Sequence, residues 1–168
     1  MNPQHKPLCV VFDCMVFVQA VANRNSVAAR ALKLMETDEI KVFVSKQILT
    51  EIRDVLTRSK LRQALPGITD TTVEALFIQL ERKSYFAADV PKAFEYPRDP
   101  KDEPYIDLAA AVDADYIVSR DSDLLDLMTG HSNDCKKFRQ RFRKLKVIEP
   151  IDLLEMVKAI NKSSEGMN

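Results

Sequence analysis

LCVVFDCM, residues 8–15, sets five β-favouring apolar residues in a row and ends them with an acid. A run without polar alternation is what a strand buried on both faces requires, and such strands belong to parallel sheets. Asp13 stops the run abruptly. Ligand sites in open parallel sheets form outside the carboxyl ends of the strands, so this acid stands where chemistry collects.

Working outward, Ser26 to Asp38 reads as a helix with Val27, Ala31, Leu34 and Met35 at helical spacing. Lys41 to Val44 is a second strand, and Ser45 can cap a helix running to about Arg58. Asp70 can cap another, whose stripe is Val73, Leu76, Phe77 and Leu80. Tyr85 to Ala88 reads as a third strand. Val90 to Pro104 is a loop broken by Pro91, Pro97, Pro100 and Pro104. A helix over Pro104–Val112, a strand over Tyr116–Ser119 and a short helix over Ser122–Met128 follow. The basic stretch Lys136 to Lys146 leads into a strand at Val147–Ile148, and Pro150 opens a last helix. Strands alternating with helices argue for a mostly parallel sheet covered on both faces by right-handed crossovers. The chain reads as a single domain over residues 1–168, with its core over about 8–160 and a polar, fraying tail at 161–168.

At 168 residues, 46% hydrophobic and 30% charged, the chain is long enough to bury a core and too apolar to be disordered. No apolar run approaches the roughly 20 residues that span a bilayer. The polar start, with two prolines in its first seven residues, reads as neither a signal peptide nor an anchor. Basic and acidic residues both number 25, so net charge does not favour a polyanionic partner. Cys9, Cys14 and Cys135 form no C-x-x-C pair, and there are two histidines. A zinc site is therefore disfavoured, and reduced thiols in a cytoplasm are the simple reading.

Helical geometry, about 100° per residue, sorts the acids that face inward from those that do not. In the helix opening near Asp102, the apolar arc is Tyr105, Ile106, Leu108, Ala109 and Val112. Asp102 falls inside it, with Glu103 and Asp107 outside. In the next helix Leu124, Leu125, Leu127 and Met128 set an arc that includes Asp121 and excludes Asp123 and Asp126. Glu51 sits at the margin of the face formed by Ile48, Leu49, Ile52, Val55 and Leu56. Taken singly, Asp13, Asp102 and Asp121 are equally well read as helix caps, and Glu51 as a surface residue. Taken together, four acids have independent reasons to converge on one sheet edge, Asp102 on condition that its helix packs there. They would repel one another unless a divalent cation joined them, and Mg²⁺ or Mn²⁺ prefers such oxygen donors.

The blocks VVFDCMVFVQA (10–20), VSKQILTEIRDVL (44–56), YPRDPKDEPYIDLAAAVDADYIVSRDSDLLDLM (96–128) and KVIEPIDLLEM (146–156) resemble PIN-domain proteins. The closest resemblance is to the toxin components of prokaryotic toxin–antitoxin systems. The most specific part is D-P-x-D-x-P followed by A-D-Y-I-V-S-R-D-x-D-L-L. The resemblance implies a three-layer α/β/α sandwich and Mg²⁺- or Mn²⁺-dependent cleavage of single-stranded RNA. The expected partners are that RNA, a small antitoxin protein and a second copy in a homodimer, with no membrane. Its acidic ligands fall on Asp13, Glu51, Asp102 and Asp121, with Asp123 as an auxiliary fifth. The family usually carries Asn two residues after the first Asp, and here Met15 stands in its place. A thioether hydrogen-bonds poorly where an amide would donate and accept. That departure leaves an alternative: a weak or inactive PIN-like module that binds RNA or protein.

Other chemistries find little support. Three glycines, no G-x-S-x-G elbow and no G-x-x-x-x-G-K-[ST] loop argue against a serine nucleophile and a backbone phosphate cradle. Cys14 reads as a buried, inert thiol with no basic partner nearby in sequence. Asp13 is also a candidate phosphoryl acceptor, of a phosphatase or of a receiver domain, but the phosphatase version would want a second acid two residues on, where Met15 stands. Lys136 to Lys146 interleaves Phe138 and Phe142 with basic residues. It reads either as a solvated surface whose phenylalanines pack inward or as an RNA-backbone track through Arg139, Arg141 and Arg143.

Overall fold

The computed structural model describes residues 5–166. The two ends of the expected domain, residues 1–4 and 167–168, lie outside the described residues. Five strands, β1 (Leu8–Phe12), β2 (Ile40–Ser45), β3 (Tyr85–Ala87), β4 (Tyr116–Val118) and β5 (Lys146–Ile148), form one sheet in the order β3-β2-β1-β4-β5. Every pairing is parallel. The helices among the described residues are α1 (Cys14–Ala22), α2 (Val27–Lys33), α3 (Lys46–Leu56), α4 (Ser59–Ala64), α5 (Asp70–Lys83), α6 (Glu103–Ala111), α7 (Ser122–Thr129), α8 (Asn133–Arg141) and α9 (Pro150–Glu165). The expected three-layer α/β/α arrangement with a parallel sheet is what forms.

Parallel neighbours need crossovers, and right-handed ones put the helices of the β1-to-β3 half on one face and those leading to β4 and β5 on the other. Packing follows that division. Helix α1 meets α2, α3 and α5, and α2 meets α9, whereas α6 lies on β1, β2 and β4 and α7 packs on α8. The order in which strands are added reverses between β1 and β4, which makes their carboxyl ends the switch point of the sheet. Val10, Val11 and Phe12 of β1 and Ile117 and Val118 of β4 are buried, as strands covered on both faces should be. At the amino ends of the same strands Asp115 accepts the Cys9 N–H at 2.9 Å, so an acid of the A-D-Y block has a structural role far from the switch point.

Several local expectations change. Cys14–Ala22 is a helix that no stripe announced, because six of its nine residues are buried and apolar side chains surround it. The helix expected over Ser26–Asp38 runs only from Val27 to Lys33, then tightens to a 3-10 turn at Leu34–Glu36. Asp70 does not cap α5. Thr69 does, in a reciprocal box with Thr72, and Asp70 pairs with Arg62 instead. The basic stretch as far as Arg141 lies in α8, which is capped by Ser132. The final helix spans Pro150–Glu165 and so takes in most of the polar tail.

The turn before α5 is pressed against the end of α1. A Cβ on Gly67 would come within 2.2 Å of the Ala22 carbonyl oxygen. Neither partner is a flexible side-chain tip, so backbone must move. Gly67→Ala is expected to destabilise the protein by about 1–3 kcal/mol in urea unfolding; an unchanged midpoint would show that the turn yields freely.

Candidate metal centre

Asp13 leaves β1 and caps α1. Its Oδ1 accepts the N–H groups of Met15 (2.7 Å) and Val16 (3.3 Å), and its Oδ2 accepts the Ser119 hydroxyl. Ser119 is fully buried just past β4, and its Oγ accepts the Asp121 N–H at 2.9 Å. One hydroxyl therefore ties the first acid of the chain to the loop that carries Asp121. Asp121 caps α7 by accepting the Asp123 N–H at 2.8 Å. The capping and site readings of these two acids are not rivals, because the cap bond occupies one carboxylate oxygen and fixes where the other points.

Asp102 behaves differently. It stands at the capping position of α6 and makes no capping bond. Its side chain is only 6% exposed, and Oδ2 is buried without any hydrogen-bond partner. A carboxylate so placed is costly in its charged form. Burial, then the nearby charges of Asp121, Asp99, Asp13 and Asp123, push its pKa up to about 8. Burial also raises Asp13, with Asp121 adding to it, against the hydrogen bonds that lower it.

One carboxylate oxygen from each of Asp99, Asp102, Asp121 and Asp123 can be chosen so that all lie within 4.8 Å of one another. The donor set is all oxygen, which suits a hard divalent cation. The orphaned oxygen of Asp102 is the kind of atom such an ion would satisfy, so the residues fit a metal. Among the described residues, Asp13 and Glu51 lie outside this group of four. Glu51 accepts the Tyr105 hydroxyl at 3.0 Å, a bond that bridges α3 and α6. Asp123, which periodicity sets outside the apolar arc, is half-buried and joins the group from the first turn of α7. Asp99 went unnoticed in a proline-rich loop. Its only sequence signal is D-P-x-D, where the 3-10 turn at Pro100–Asp102 brings both acids to one side.

Two other excluded acids build the scaffold. Asp107 accepts the N–H groups of Ala93 (2.8 Å) and Phe94 (3.2 Å), and Glu103 accepts that of Tyr96 (2.8 Å). They pin the loop that delivers Asp99. Fully buried Tyr96 completes the clamp by donating its hydroxyl to the Asp123 carbonyl at 2.7 Å.

The remaining candidates divide. Burial, with Glu51 and Asp13 beside it, pushes the Cys14 thiol up to about 12, so a thiolate nucleophile is disfavoured. Arg139 donates to the carbonyls of Leu127 (2.8 Å) and Gly130 (2.9 Å) at the end of α7. Phe138 and Phe142 pack with Phe94 in an aromatic cluster. Arg141 and Arg143 are exposed. Lys144 pairs with Asp113 and Asp115 at the amino end of β4, opposite the acids.

A family model described as PIN domain matches residues 9–123 of the chain. No curated protein and no solved structure matches it. The matched region opens in β1 and closes on Asp123, so it contains Asp13, Glu51, Asp99, Asp102, Asp121 and Asp123 and none of the basic stretch.

The raised pKa of Asp102 has a definite consequence for stability. Folded protein holds a proton on Asp102 that unfolded chain has released, between the ordinary carboxylate range and about pH 8. Its contribution is thus fully present below about pH 4 and is lost as pH rises through 8. In chelator, the urea midpoint of the wild type is expected to fall between pH 5 and 8.5. Asp102→Asn should remove much of that slope and leave the part due to Asp13. Identical slopes in the two proteins would show that Asp102 ionises freely in the fold.

Proposed function

Because the chain belongs to the PIN-domain family, we propose that it is a metal-dependent endoribonuclease that cleaves single-stranded RNA with Mg²⁺ or Mn²⁺. The observation that carries this reading is the unpartnered, buried oxygen of Asp102 beside three further aspartates. Asp99, Asp102, Asp121 and Asp123 would hold the ion, with Asp13 and Glu51 completing the acidic surround. Such an ion, when bound, supplies Lewis acidity: it makes hydroxide available at neutral pH and offsets charge developing on a phosphate.

The protein's own groups supply position and proton control. Asp13 is held by two backbone N–H groups and the Ser119 hydroxyl, so its direction is set by strand β4 as well as by its own helix. Asp121 is held by its cap and by the serine-bound backbone. Burial and the neighbouring acids push the Asp102 pKa up to about 8, so holding an ion there would require that carboxyl to release its proton, coupling ion binding to proton release. No side chain near the acids is a convincing nucleophile, which leaves water as the attacking group.

Arg141 and Arg143 remain the basic residues of the stretch offered for an RNA backbone, and Arg139 belongs to that set with its guanidinium already engaged by carbonyls. The toxin role, a small antitoxin partner and a homodimer rest on the resemblance of the quoted blocks. Exposed Tyr85, Phe86 and Ile78 at and beside the edge strand β3 support a protein partner of some kind. A second reading, an RNA- or protein-binding module with little or no activity, is favoured by Met15. It lies 43% exposed in the first turn of α1, beside Asp13, where an amide could bond a ligand or substrate.

One set of variants separates the readings. Mn²⁺ at about 100 times its Kd should stabilise the native state by roughly 2.7 kcal/mol, seen as a raised Tm. Asp121→Asn should lose most of that rise while keeping a competent cap, since Asn caps as well as Asp. Cleavage of single-stranded RNA should be weak, metal-dependent and absent in Asp121→Asn. Met15→Asn should raise it by about 10–100-fold. If Mn²⁺ raises Tm but Met15→Asn still shows no cleavage, the binding-module reading replaces the nuclease.

A further inference from the structure

Arg98 precedes Asp99 in the chain and lies against the acids. Its Nε is 2.7 Å from Asp123 Oδ1, and its Nη2 is 2.8 Å from Asp126 Oδ2. Asp126 is not one of the four converging acids, so Arg98 ties one member of that group to a carboxylate outside it. The same loop thus brings both an acid for an ion and a cation that already occupies another acid. Lys92 pairs with Glu95 and Glu103 on the outer side of the loop. Among the described residues, Arg98 is the basic side chain that forms an ion pair with a member of the group of four.

The geometry points to Arg98 as a positioning residue that competes with the divalent ion for Asp123, so that metal binding requires the Arg98–Asp123 pair to open while Arg98 stays tethered to Asp126. In the metal-free protein the guanidinium neutralises part of the acidic cluster and fixes Asp123 through a planar two-carboxylate bridge. That bridge needs the fork of Arg, since a Lys ammonium is a point charge on a flexible stem. Partly exposed pairs of this kind contribute up to about 1 kcal/mol, so releasing Asp123 from one would tighten metal binding by roughly two- to fivefold.

The inference rests on the metal-site reading above, and one titration tells the two apart. Mn²⁺ affinity is measured calorimetrically on the whole chain for wild type, Arg98→Gln, Arg98→Lys and Asp123→Asn, and for Arg98→Gln combined with Asp123→Asn. Circular dichroism reports folding. Arg98→Gln is expected to bind Mn²⁺ two- to fivefold more tightly. Arg98→Lys should also bind more tightly than wild type, because it keeps the charge and loses the bridge. In the Asp123→Asn background, Arg98→Gln should change nothing, as a double-mutant cycle on one shared contact requires. Unchanged or weaker affinity in Arg98→Gln overturns the inference, since Arg98 would then orient Asp123 for the ion rather than withhold it. Tightening in Arg98→Gln with wild-type affinity in Arg98→Lys also overturns it, leaving a simple field effect. If Arg98→Gln does not fold, the Arg98→Lys result decides. Wild type that takes no Mn²⁺ removes the metal-site reading itself, and this inference with it.

Discussion

Strands β1 and β4 are joined at their carboxyl ends by more than their ladder. The Asp13 N–H donates to the Val118 carbonyl at 3.1 Å, and the Asp13 carboxylate accepts the Ser119 hydroxyl. Ser119 in turn accepts the N–H of Asp121. An acid buried in the middle of a parallel sheet would be a liability without such partners. With them it becomes the reference point from which α1 starts, β4 ends and α7 is aimed. The other acids are placed relative to it: Asp121 through the serine, Asp123 through the cap of α7, and Asp102 through α6 lying across the same strands. The switch point therefore has its position set by topology and its chemistry set by one carboxylate–hydroxyl contact.

Around that point the structure carries unresolved charge. Asp13 is compensated by hydrogen bonds, Asp121 by its cap and Asp123 by Arg98, but Asp102 has an oxygen with no partner. An ordinary core would replace such a residue by an apolar one, because leaving a buried group unsatisfied costs about 1–3 kcal/mol. Here burial and the neighbouring acids raise the Asp102 pKa to about 8, so protonation offers partial relief. Strain of this sort, confined to one residue at the carboxyl edge of a parallel sheet, is the arrangement that a group of acids able to hold a cation would have.

How much of this was legible in the sequence depended on what each residue's burial looks like in one dimension. Strand β1 was readable because a strand covered on both faces is an unbroken apolar run. Helix α1, buried nearly all round, has the same appearance and no stripe, so it stayed hidden. Asp13, Asp102 and Asp121 were readable from strand ends and helical arcs, since both place a side chain relative to the core. Asp99 was not, because its position comes from a short 3-10 turn in a loop, and loops have no period. The arc rightly sets Asp123 outside the buried face, yet its carboxylate reaches the group of four from the first turn of α7, because an arc sorts burial and not nearness to other acids. Ser119 gave only its identity, a hydroxyl at the end of an apolar strand. Glu103 and Asp107 were correctly set outside the core, yet their work in pinning the loop that carries Asp99 depends on contacts 7 to 14 residues away.

On the nuclease reading, the same charges dictate an order of events. Basic and acidic residues balance over the whole chain, so attraction for a polyanion must be local. The basic stretch contributes less than its composition promises, because Arg139 is bonded to helix-end carbonyls and Lys144 faces acids at the opposite edge of the sheet. Without an ion, the mouth of the site presents clustered aspartates, with Arg98 already engaged by one of them, Asp123, and by Asp126 outside the group. A phosphate approaching that surface meets like charge at short range, where screening by salt is weakest. The cation must therefore come first and turn a repulsive cleft into an attractive one. The RNA follows.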